Sequence, residues 1–155
     1  MLDELGQKII KELQEDARQS FREIGRNLKV SEGTVRNRVK SLLKTNAMKI
    51  SAIPNPEKLG LNFICIMGIE VKVGCAERVE ALLIQSPNVY FLCGCTGSID
   101  IMGIFMFVSP SEFDAFVKDV IANVPEIVRT TTFVVMHASR SPWEHNLDVI
   151  SLCSK

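Results

Sequence analysis

The chain has 155 residues, with 18 Lys and Arg against 18 Asp and Glu, so its formal net charge is zero. Its 46% hydrophobic and 23% charged residues are typical of a folded globular protein and exclude a disordered chain. The length allows one compact domain or two small ones. A zero total gives no general basic excess for nucleic acid or for an acidic membrane surface, but a total does not show how charges are distributed.

No run of about 18 apolar residues is present, so the sequence predicts no membrane span. The chain begins acidic rather than basic, unlike a signal peptide, and we expect a cytoplasmic protein. Its five cysteines include no Cys-x-x-Cys pair and it has two histidines, so we expect no metal site and no cofactor. Cys93 and Cys95 share one face of a predicted strand, and we interpret them as small buried hydrophobic residues.

The first half of the chain predicts three helices. A helix over residues 4–15 is indicated by apolar residues at helical spacing, namely Leu5, Ile9, Ile10 and Leu13. Ser20 and Glu23 form a capping box before a second helix, and Ser31 favours the N-cap of a third after a turn of about three residues. The third helix is expected to bury Val35, Val39, Leu42 and Leu43. Two helices joined by a short turn predict a helix-turn-helix.

The outward face of the third helix is basic, and its single acid is Glu32. A merely solvated helix usually mixes both signs of charge, whereas hydroxyl and amide groups among cations suit phosphate and base-edge contacts. We assign Arg36 and Arg38 to groove or phosphate contacts. Lys40 and Lys44 are expected nearer the DNA backbone. The predicted contacts with double-stranded DNA are therefore Ser31, Thr34, Arg36, Asn37, Arg38, Lys40 and Lys44.

The two halves of the chain are separated by a short proline-containing segment. Apolar and polar residues alternate over 48–53, which favours a wing strand or hairpin beside the third helix. Pro54 and Pro56 then favour an extended connection. We predict a winged helix-turn-helix domain, a linker, a second domain and a tail, over residues 1–53, 54–61, 62–140 and 141–155. Trp143 and Val149-Ile150 suggest that the tail packs on a neighbour.

The second half has the order strand, helix, strand, strand, helix, strand. The strands are predicted over residues 62–73, 89–96, 99–108 and 128–137. The first helix buries Ala76, Val79, Leu82 and Leu83. The second begins at a capping box of Ser109 and Glu112 with Pro110 at its first position, and buries Phe113, Phe116, Val117, Val120, Ile121 and Val124. This βαββαβ order predicts an α+β, ferredoxin-like domain with an antiparallel sheet and helices on one face.

The third strand of this domain is apolar on both faces. One face carries Ile101, Gly103, Phe105 and Phe107, and the other carries Met102, Ile104, Met106 and Val108. Because helices cover one face, we predict that a second copy covers the other and makes a homodimer. A ligand-lined cleft is the alternative.

Short motifs in both halves match one protein family in order and spacing. In the first half they are Leu2-Asp3, Ile9-Ile10, Leu13, Ala17-Arg18, Ser20, Glu23-Ile24, Ser31, Thr34-Val35, Arg38-Val39-Lys40 and Leu42. They continue with Asn55-Pro56, Leu59-Gly60-Leu61, Pro87-x-Val89, Thr96-Gly97-Ser98-Ile99-Asp100 and Val128-Arg129-Thr130-x-Thr132. Over about residues 2–138 the chain therefore resembles the Lrp/AsnC, or feast/famine, transcriptional regulators.

This resemblance implies a DNA-binding winged helix followed by a domain for dimerisation and effector binding. It implies dimers that assemble further, commonly to octamers, and small effectors such as amino acids. It places the effector region at Gly97, Ser98 and Asp100, with Thr130 and Thr132 near it. From the residues themselves, Gly97 permits a tight turn and Asp100 suits the ammonium group of an amino acid. Two interpretations stay open, since Gly97 and Asp100 equally suit a simple hairpin turn and its cap.

The sequence departs from the family pattern at Gly25 and Lys29, which are the support for a partner protein that has lost DNA binding. At Ile99 the family commonly has Tyr. An enzyme acting on tetrapyrroles, similar to the sirohaem decarboxylases, is a further alternative. It needs His and Arg in the second domain, and those available form no cluster along the sequence: Arg78, Arg129, His137, Arg140 and His145. We therefore expect no enzymatic activity.

The zero net charge divides unequally between the halves. Residues 1–50 contain 11 Lys and Arg and 7 Asp and Glu, a net charge of +4, and residues 51–155 carry the compensating −4. Within 26–49 the counts are 7 basic and 1 acidic. The neutral total therefore does not argue against DNA, and it predicts that the first domain faces the phosphates.

Overall fold

The computed structural model describes residues 2–139, which divide into one unit ending at Ile53 and another over Pro54–Ser139. The first unit contains three helices, α1 (Glu4–Glu15), α2 (Phe21–Leu28) and α3 (Glu32–Lys44). Its core is built from one apolar stripe of each helix: Ile9, Ile10, Ile24, Val35, Val39 and Leu42. The predicted helix-turn-helix is confirmed.

Each helix of the first unit begins at a side-chain cap. The Asp3 carboxylate accepts a hydrogen bond from the Gly6 N–H, and Ser31 Oγ accepts one from the Thr34 N–H. Ser20 and Glu23 form the predicted capping box. The backbone N–H and the hydroxyl of Ser20 both donate hydrogen bonds to the Glu23 carboxylate. These two bonds lower the pKa of Glu23, and the backbone N–H has the larger effect. These local bonds satisfy amide groups that the helix geometry leaves without partners.

Two predictions for the first unit are wrong. Leu43, expected in the core, is 39% exposed, because it lies in the last turn of α3 beyond the stripe that ends at Leu42. Residues 48–53, expected as a wing strand or hairpin, form no strand. An alternating segment becomes a strand only where another strand supplies hydrogen bonds, and no strand occurs among the described residues of this unit.

The second unit is a four-stranded antiparallel sheet with two helices. Its strands are β1 (Phe63–Val71), β2 (Val89–Gly94), β3 (Ile101–Phe107) and β4 (Ile127–Val134), and its helices are α4 (Ala76–Leu83) and α5 (Pro110–Asp119). Short 3₁₀ turns occupy Glu57–Leu59 and Ile121–Asn123. The strand order is β2-β3-β1-β4, which is the predicted ferredoxin-like arrangement.

The start of α5 is joined to the sheet by Glu112. Ser109 caps the helix by accepting from the Glu112 N–H, as predicted. The Glu112 carboxylate accepts from the Val108 N–H rather than from the Ser109 N–H, and also from the Asn88 side chain. The same Asn88 amide donates to the Met106 carbonyl. The reciprocal half of the predicted capping box is therefore not formed, and Glu112 instead connects the end of β3 to the residue before β2.

One face of the sheet packs against the helices and forms the core of the second unit. Its fully buried side chains include Cys65, Met67, Ile69, Phe105 and Phe107. Rings of Phe105 and Phe107 contact Phe116 of α5 at centroid distances of 5.5 and 5.4 Å. Leu82 of α4, expected in this core, is 48% exposed, because α4 turns Val79 and Leu83 toward the sheet instead.

The opposite face of the sheet carries apolar side chains that no helix covers. Ile66 lies opposite Ile104 on β3 and Phe133 on β4, and Ile104 lies opposite Phe91. Phe91 is 51% exposed and Phe133 is 59% exposed. We call this surface the open sheet face; it consists of Ile64, Ile66, Phe91, Met102, Ile104, Met106 and Phe133. The predicted apolar character of both faces is therefore observed.

Candidate DNA-binding helix and effector turn

The turn between α2 and α3 depends on Gly25 and Lys29. Lys29 ends α2 in the left-handed conformation with φ of 57°, and the Val30 N–H donates to the Gly25 carbonyl at 2.9 Å. A Cβ atom at Gly25 would lie 2.8 Å from the Val30 carbonyl oxygen. Gly25 is thus required by the close approach of the turn to α2. Gly25 therefore supports the turn geometry, whereas Lys29 occupies a left-handed position that favours glycine. The helix-turn-helix nevertheless forms with both residues present.

The surface of α3 opposite the core is polar and open to solvent. Asn37, Lys40 and Lys44 follow one another at helical spacing on this side, while Val35, Val39 and Leu42 occupy the buried side. Within residues 2–139 none of these three polar side chains makes a hydrogen bond or ion pair. We call Asn37, Lys40 and Lys44 the outer stripe of α3. Their donors are free for phosphates and base edges.

The two arginines assigned to the groove have partners within the chain. Arg36 pairs with Glu32 one turn earlier, and its guanidinium lies 5.6 Å from the centre of the Phe21 ring. Arg38 pairs with the Asp3 carboxylate at the start of α1. Because Arg38 lies on the flank of α3 that faces α1, it joins the two helices. Arg38 is therefore already paired within the first unit.

Ser31 and Thr34 lie at the first turn of α3. Their hydroxyl oxygens are 2.8 Å apart, and both side chains are exposed. The N-terminus of a helix attracts phosphate through its unpaired amides and its dipole. Gly33 lies between them and was missed by the sequence analysis. A Cβ at Gly33 would meet only Ser31 Oγ at 3.8 Å, so packing within the described chain does not require glycine there.

The predicted effector turn connects β2 to β3 and is held by backbone bonds. The Cys95 N–H donates to the Asp100 carbonyl at 2.7 Å, and the Asp100 N–H donates to the Ile69 carbonyl at 3.0 Å. Asp100 Oδ2 accepts from the Val71 N–H at 2.8 Å. Gly97 has φ of 121°, a conformation that side chains disfavour. The Asp100 side chain therefore binds the last residue of β1 through Oδ2, and its other carboxylate oxygen accepts no hydrogen bond from the described residues.

The remaining predicted effector residues lie at different distances from Asp100 along the sheet. Thr130 on β4 is opposite Ile69 on β1. The Ile69 carbonyl accepts the hydrogen bond from the Asp100 N–H, so Ile69 lies between Thr130 and Asp100. Thr132 is opposite Met67, two residues farther along β1, and both threonines are half-buried. Ser98 is exposed in the turn itself. The register brings Thr130 nearest to the turn and Thr132 less so.

Ile99 connects this turn to the open sheet face. A Cβ at Gly68 would lie 2.6 Å from Ile99 Cδ1, so the Ile99 side chain packs onto the sheet at Gly68. Gly68 lies opposite Met102 and Thr131 on that same face. Position 68 therefore requires glycine, because the Ile99 side chain occupies the space that a Cβ atom would need.

Cys93 and Cys95 do not have the environment predicted for them. Cys93 is half-buried and Cys95 is exposed, although we interpreted both as buried hydrophobic residues. Their sulfur atoms are 4.0 Å apart, so they do share one side of the chain. The interpretation was wrong because β2 is an edge strand that ends at Gly94.

The basic residues considered for a tetrapyrrole enzyme are not brought together in the described residues. Arg78 pairs with Glu126 at 3.0 Å, and Arg129 pairs with Glu70 at 2.8 Å. His137 is exposed. Arg140, His145 and the predicted packing of the tail through Trp143 and Val149-Ile150 lie outside the described residues. No group of three His, Cys, Asp or Glu side chains within 2–139 is placed to hold a metal ion.

No helix among the described residues is long and apolar enough to cross a membrane.

Comparisons with known proteins agree with both units. An AsnC-type helix-turn-helix domain matches residues 2–43, and an Lrp/AsnC ligand binding domain matches residues 64–143. An HTH-type transcriptional regulator of Pyrococcus abyssi is 34% identical over 137 residues, covering 88% of this chain and 92% of the relative.

Solved structures share the fold. Escherichia coli AsnC has a TM-score of 0.85 at 24% identity, covering 91% of this chain and 96% of that one. A transcriptional regulator of Neisseria meningitidis in complex with L-Met has a TM-score of 0.83 at 21% identity, covering 91% and 94%. With both of its domains matched in order, the chain belongs to the Lrp/AsnC family of DNA-binding transcriptional regulators.

Proposed function

We propose that this regulator binds its operators as a homodimer through the outer stripe of α3, and that a small effector bound at the turn before β3 modulates it. The observation that carries the proposal is that the described chain has two surfaces without partners. One is basic and lies on α3, and the other is apolar and lies on the sheet. The first suits DNA and the second suits another copy of the same sheet. A dimer should contact half-sites about 34 Å apart, or multiples of that spacing.

Dimerisation is supported by the composition of the open sheet face. Phe91 and Phe133, on opposite edge strands, are both about half exposed, and the side chains between them are aliphatic. A contiguous apolar surface of this kind is rarely left in water by a monomeric protein. We propose a two-fold dimer through this face and further assembly, such as an octamer. Sedimentation equilibrium of the full chain tests this, and a monomer at micromolar concentration would contradict it.

The effector is proposed to be an amino acid. The structural neighbour from Neisseria meningitidis is described in complex with L-Met. In this chain, Asp100 has a carboxylate oxygen without a hydrogen bond from the described residues, which suits an ammonium group. Ser98 and Thr130 supply hydroxyl groups near the same turn. Thr132 lies two residues farther along β4 than Thr130 and is half-buried.

A thermal-shift screen against the amino acids tests the effector proposal. A ligand present at about 100 times its Kd raises stability by about 2.7 kcal/mol, which corresponds to a Tm increase of about 5–10 °C for a chain of this size. Asp100→Asn is the informative variant. Its amide oxygen still accepts from the Val71 N–H, so the cap is kept while the negative charge is lost. A shift that disappears in Asp100→Asn supports the proposed role, and an unchanged shift contradicts it.

We propose that the chain has no enzymatic activity and acts in the cytoplasm, where a prokaryotic regulator meets its operators. The ion pairs of Arg78 and Arg129 leave these side chains engaged with Glu126 and Glu70, which does not favour a tetrapyrrole site. Soret absorbance retained by the purified protein would contradict this. Failure to enrich any genomic fragment in a DNA-selection experiment would instead favour a partner protein without DNA binding.

A further inference from the structure

Cys93 and Cys95 lie at the edge of the sheet, and Met102 is on the neighbouring strand. Cys93 is opposite Met102 in the β2–β3 register, so both side chains lie on the same face. Cys95 follows two residues later, with its sulfur 4.0 Å from that of Cys93. Cys95 is exposed and Cys93 is half-buried, so both thiols can be reached from the edge of the sheet. Because β2 is an edge strand, the group lies at the margin of the open sheet face.

The separation of the two sulfurs suits a bridging ion better than a disulfide. A disulfide requires a sulfur–sulfur distance of about 2.05 Å, and residues two apart on a strand have Cα atoms near the upper end of the range that a disulfide spans. A metal ion with thiolate bonds of about 2.3 Å instead spans sulfurs about 4 Å apart without movement of the strand. The observed 4.0 Å matches this second geometry.

The ligand set selects the kind of ion. Zinc in a structural site takes four tetrahedral ligands, and the described residues contain no group of three or more His, Cys, Asp or Glu side chains placed for a metal. Thiolate and thioether ligands together are the set that selects Cu(I), which accepts low coordination numbers.

We propose that Cys93, Cys95 and Met102 form a binding site for Cu(I). On binding, each thiol loses its proton to solvent and donates a sulfur lone pair to the ion, and the thioether adds a neutral third ligand. No electron is transferred in this step. The site adjoins the turn that begins at Cys95, so the ion would fix the conformation of the turn where the effector is proposed to bind.

The test is an anaerobic titration of the full, reduced chain with Cu(I) supplied by a coloured bicinchoninate complex. We expect one ion per chain to leave the chelator and a thiolate-to-copper absorption band to appear in the ultraviolet. Cys93→Ser and Cys95→Ser should each weaken binding at least about tenfold, and Met102→Leu less than either. Cys75→Ser and Cys153→Ser are the matched controls and should bind as the unchanged chain does.

Three results would overturn the site. The first is equal Cu(I) affinity in Cys93→Ser or Cys95→Ser and in the unchanged chain. The second is loss of binding in Cys75→Ser or Cys153→Ser, which would place the ion elsewhere. The third is rapid formation of a Cys93–Cys95 disulfide with a small-molecule disulfide together with failure to take Cu(I) from the chelator. The last result would show that Cys93 and Cys95 form a disulfide in preference to binding an ion.

Discussion

The outer stripe of α3 and the open sheet face are both exposed surfaces without partners in the described chain, and they differ in chemistry. The stripe is formed by cations and an amide, which water solvates well when DNA is absent. The sheet face is formed by Ile, Met and Phe, whose exposure to water is unfavourable. The first surface therefore suits the proposed reversible, salt-dependent contact with DNA, and the second suits the proposed lasting contact with another copy of the chain.

The same contrast appears in the charges. Residues 1–50 carry a net charge of +4 and the rest of the chain carries −4, so the two units are attracted to and repelled from phosphate respectively. A neutral whole allows strong local contact with DNA through one unit, and it limits the nonspecific contact that a basic sheet domain would add.

The largest expected effect is on dimerisation. Ile66→Glu places a charge at the centre of the open sheet face, and burying an unpaired charge costs about 3–5 kcal/mol. We expect the dimer Kd, measured by sedimentation equilibrium, to rise at least about 100-fold. Val73→Glu is the control, because Val73 is fully exposed in the turn after β1. A dimer that survives Ile66→Glu unchanged would show that the sheet face is not the interface.

The next effect concerns the outer stripe. Lys40→Ala combined with Lys44→Ala should lower operator affinity about 10–100-fold at moderate salt and reduce the salt slope by about one unit per lost phosphate contact. Gel shifts at several salt concentrations measure both. The matched control is Lys58→Ala with Lys72→Ala, which removes two exposed charges from the second unit. Equal losses in the two pairs would mean that only net charge matters.

A smaller effect distinguishes Arg36 from Arg38. Arg36→Ala should lower operator affinity about tenfold, since its exposed pair with Glu32 is weak and a phosphate competes for it readily. Arg38→Ala should lower the free energy of unfolding by about 1 kcal/mol or less, because the ion pair with Asp3 is lost. Its change in operator affinity should be smaller than that of Arg36→Ala. Denaturant unfolding and gel shifts on both variants separate the roles. A larger loss of operator affinity in Arg38→Ala than in Arg36→Ala would instead support a contact between Arg38 and the DNA groove.

The smallest effect is expected at Gly33. Gly33→Ala should raise the free energy of unfolding by a few tenths to about 1 kcal/mol, because alanine favours the helix and has space there. If the DNA backbone approaches α3 at this position, operator affinity falls while stability rises. Affinity that rises or stays the same in the more stable variant would contradict a close approach at Gly33.

Local signals explain the parts of the fold that the sequence predicted. The caps at Ser20, Ser31 and Ser109 are set by residues within three positions, so the helix starts follow from short segments. The apolar character of both sheet faces follows from alternation along β3. These features require no knowledge of distant contacts.

Distant contacts explain what was missed. Arg38 lies on the exposed half of a predicted helix, but its partner Asp3 is 35 residues earlier, and only the packing of α1 on α3 brings them together. The exposure of Cys95 depends on β2 being at an edge, which the strand order determines. The predicted wing failed because the alternation of 48–53 does not reveal whether a partner strand exists.

Ile99 connects the turn where an effector is proposed to bind with the sheet face that a second chain is proposed to cover. Its side chain fills the space that a side chain at Gly68 would occupy, so a residue outside the strands shapes part of the open sheet face. A ligand that repositions the turn would withdraw this filler and leave a cavity at Gly68 between Met102 and Thr131. If the effector and the dimer are as proposed, the fit between two copies would then loosen although no strand had moved, and effector occupancy would be coupled to assembly through the Ile99 side chain.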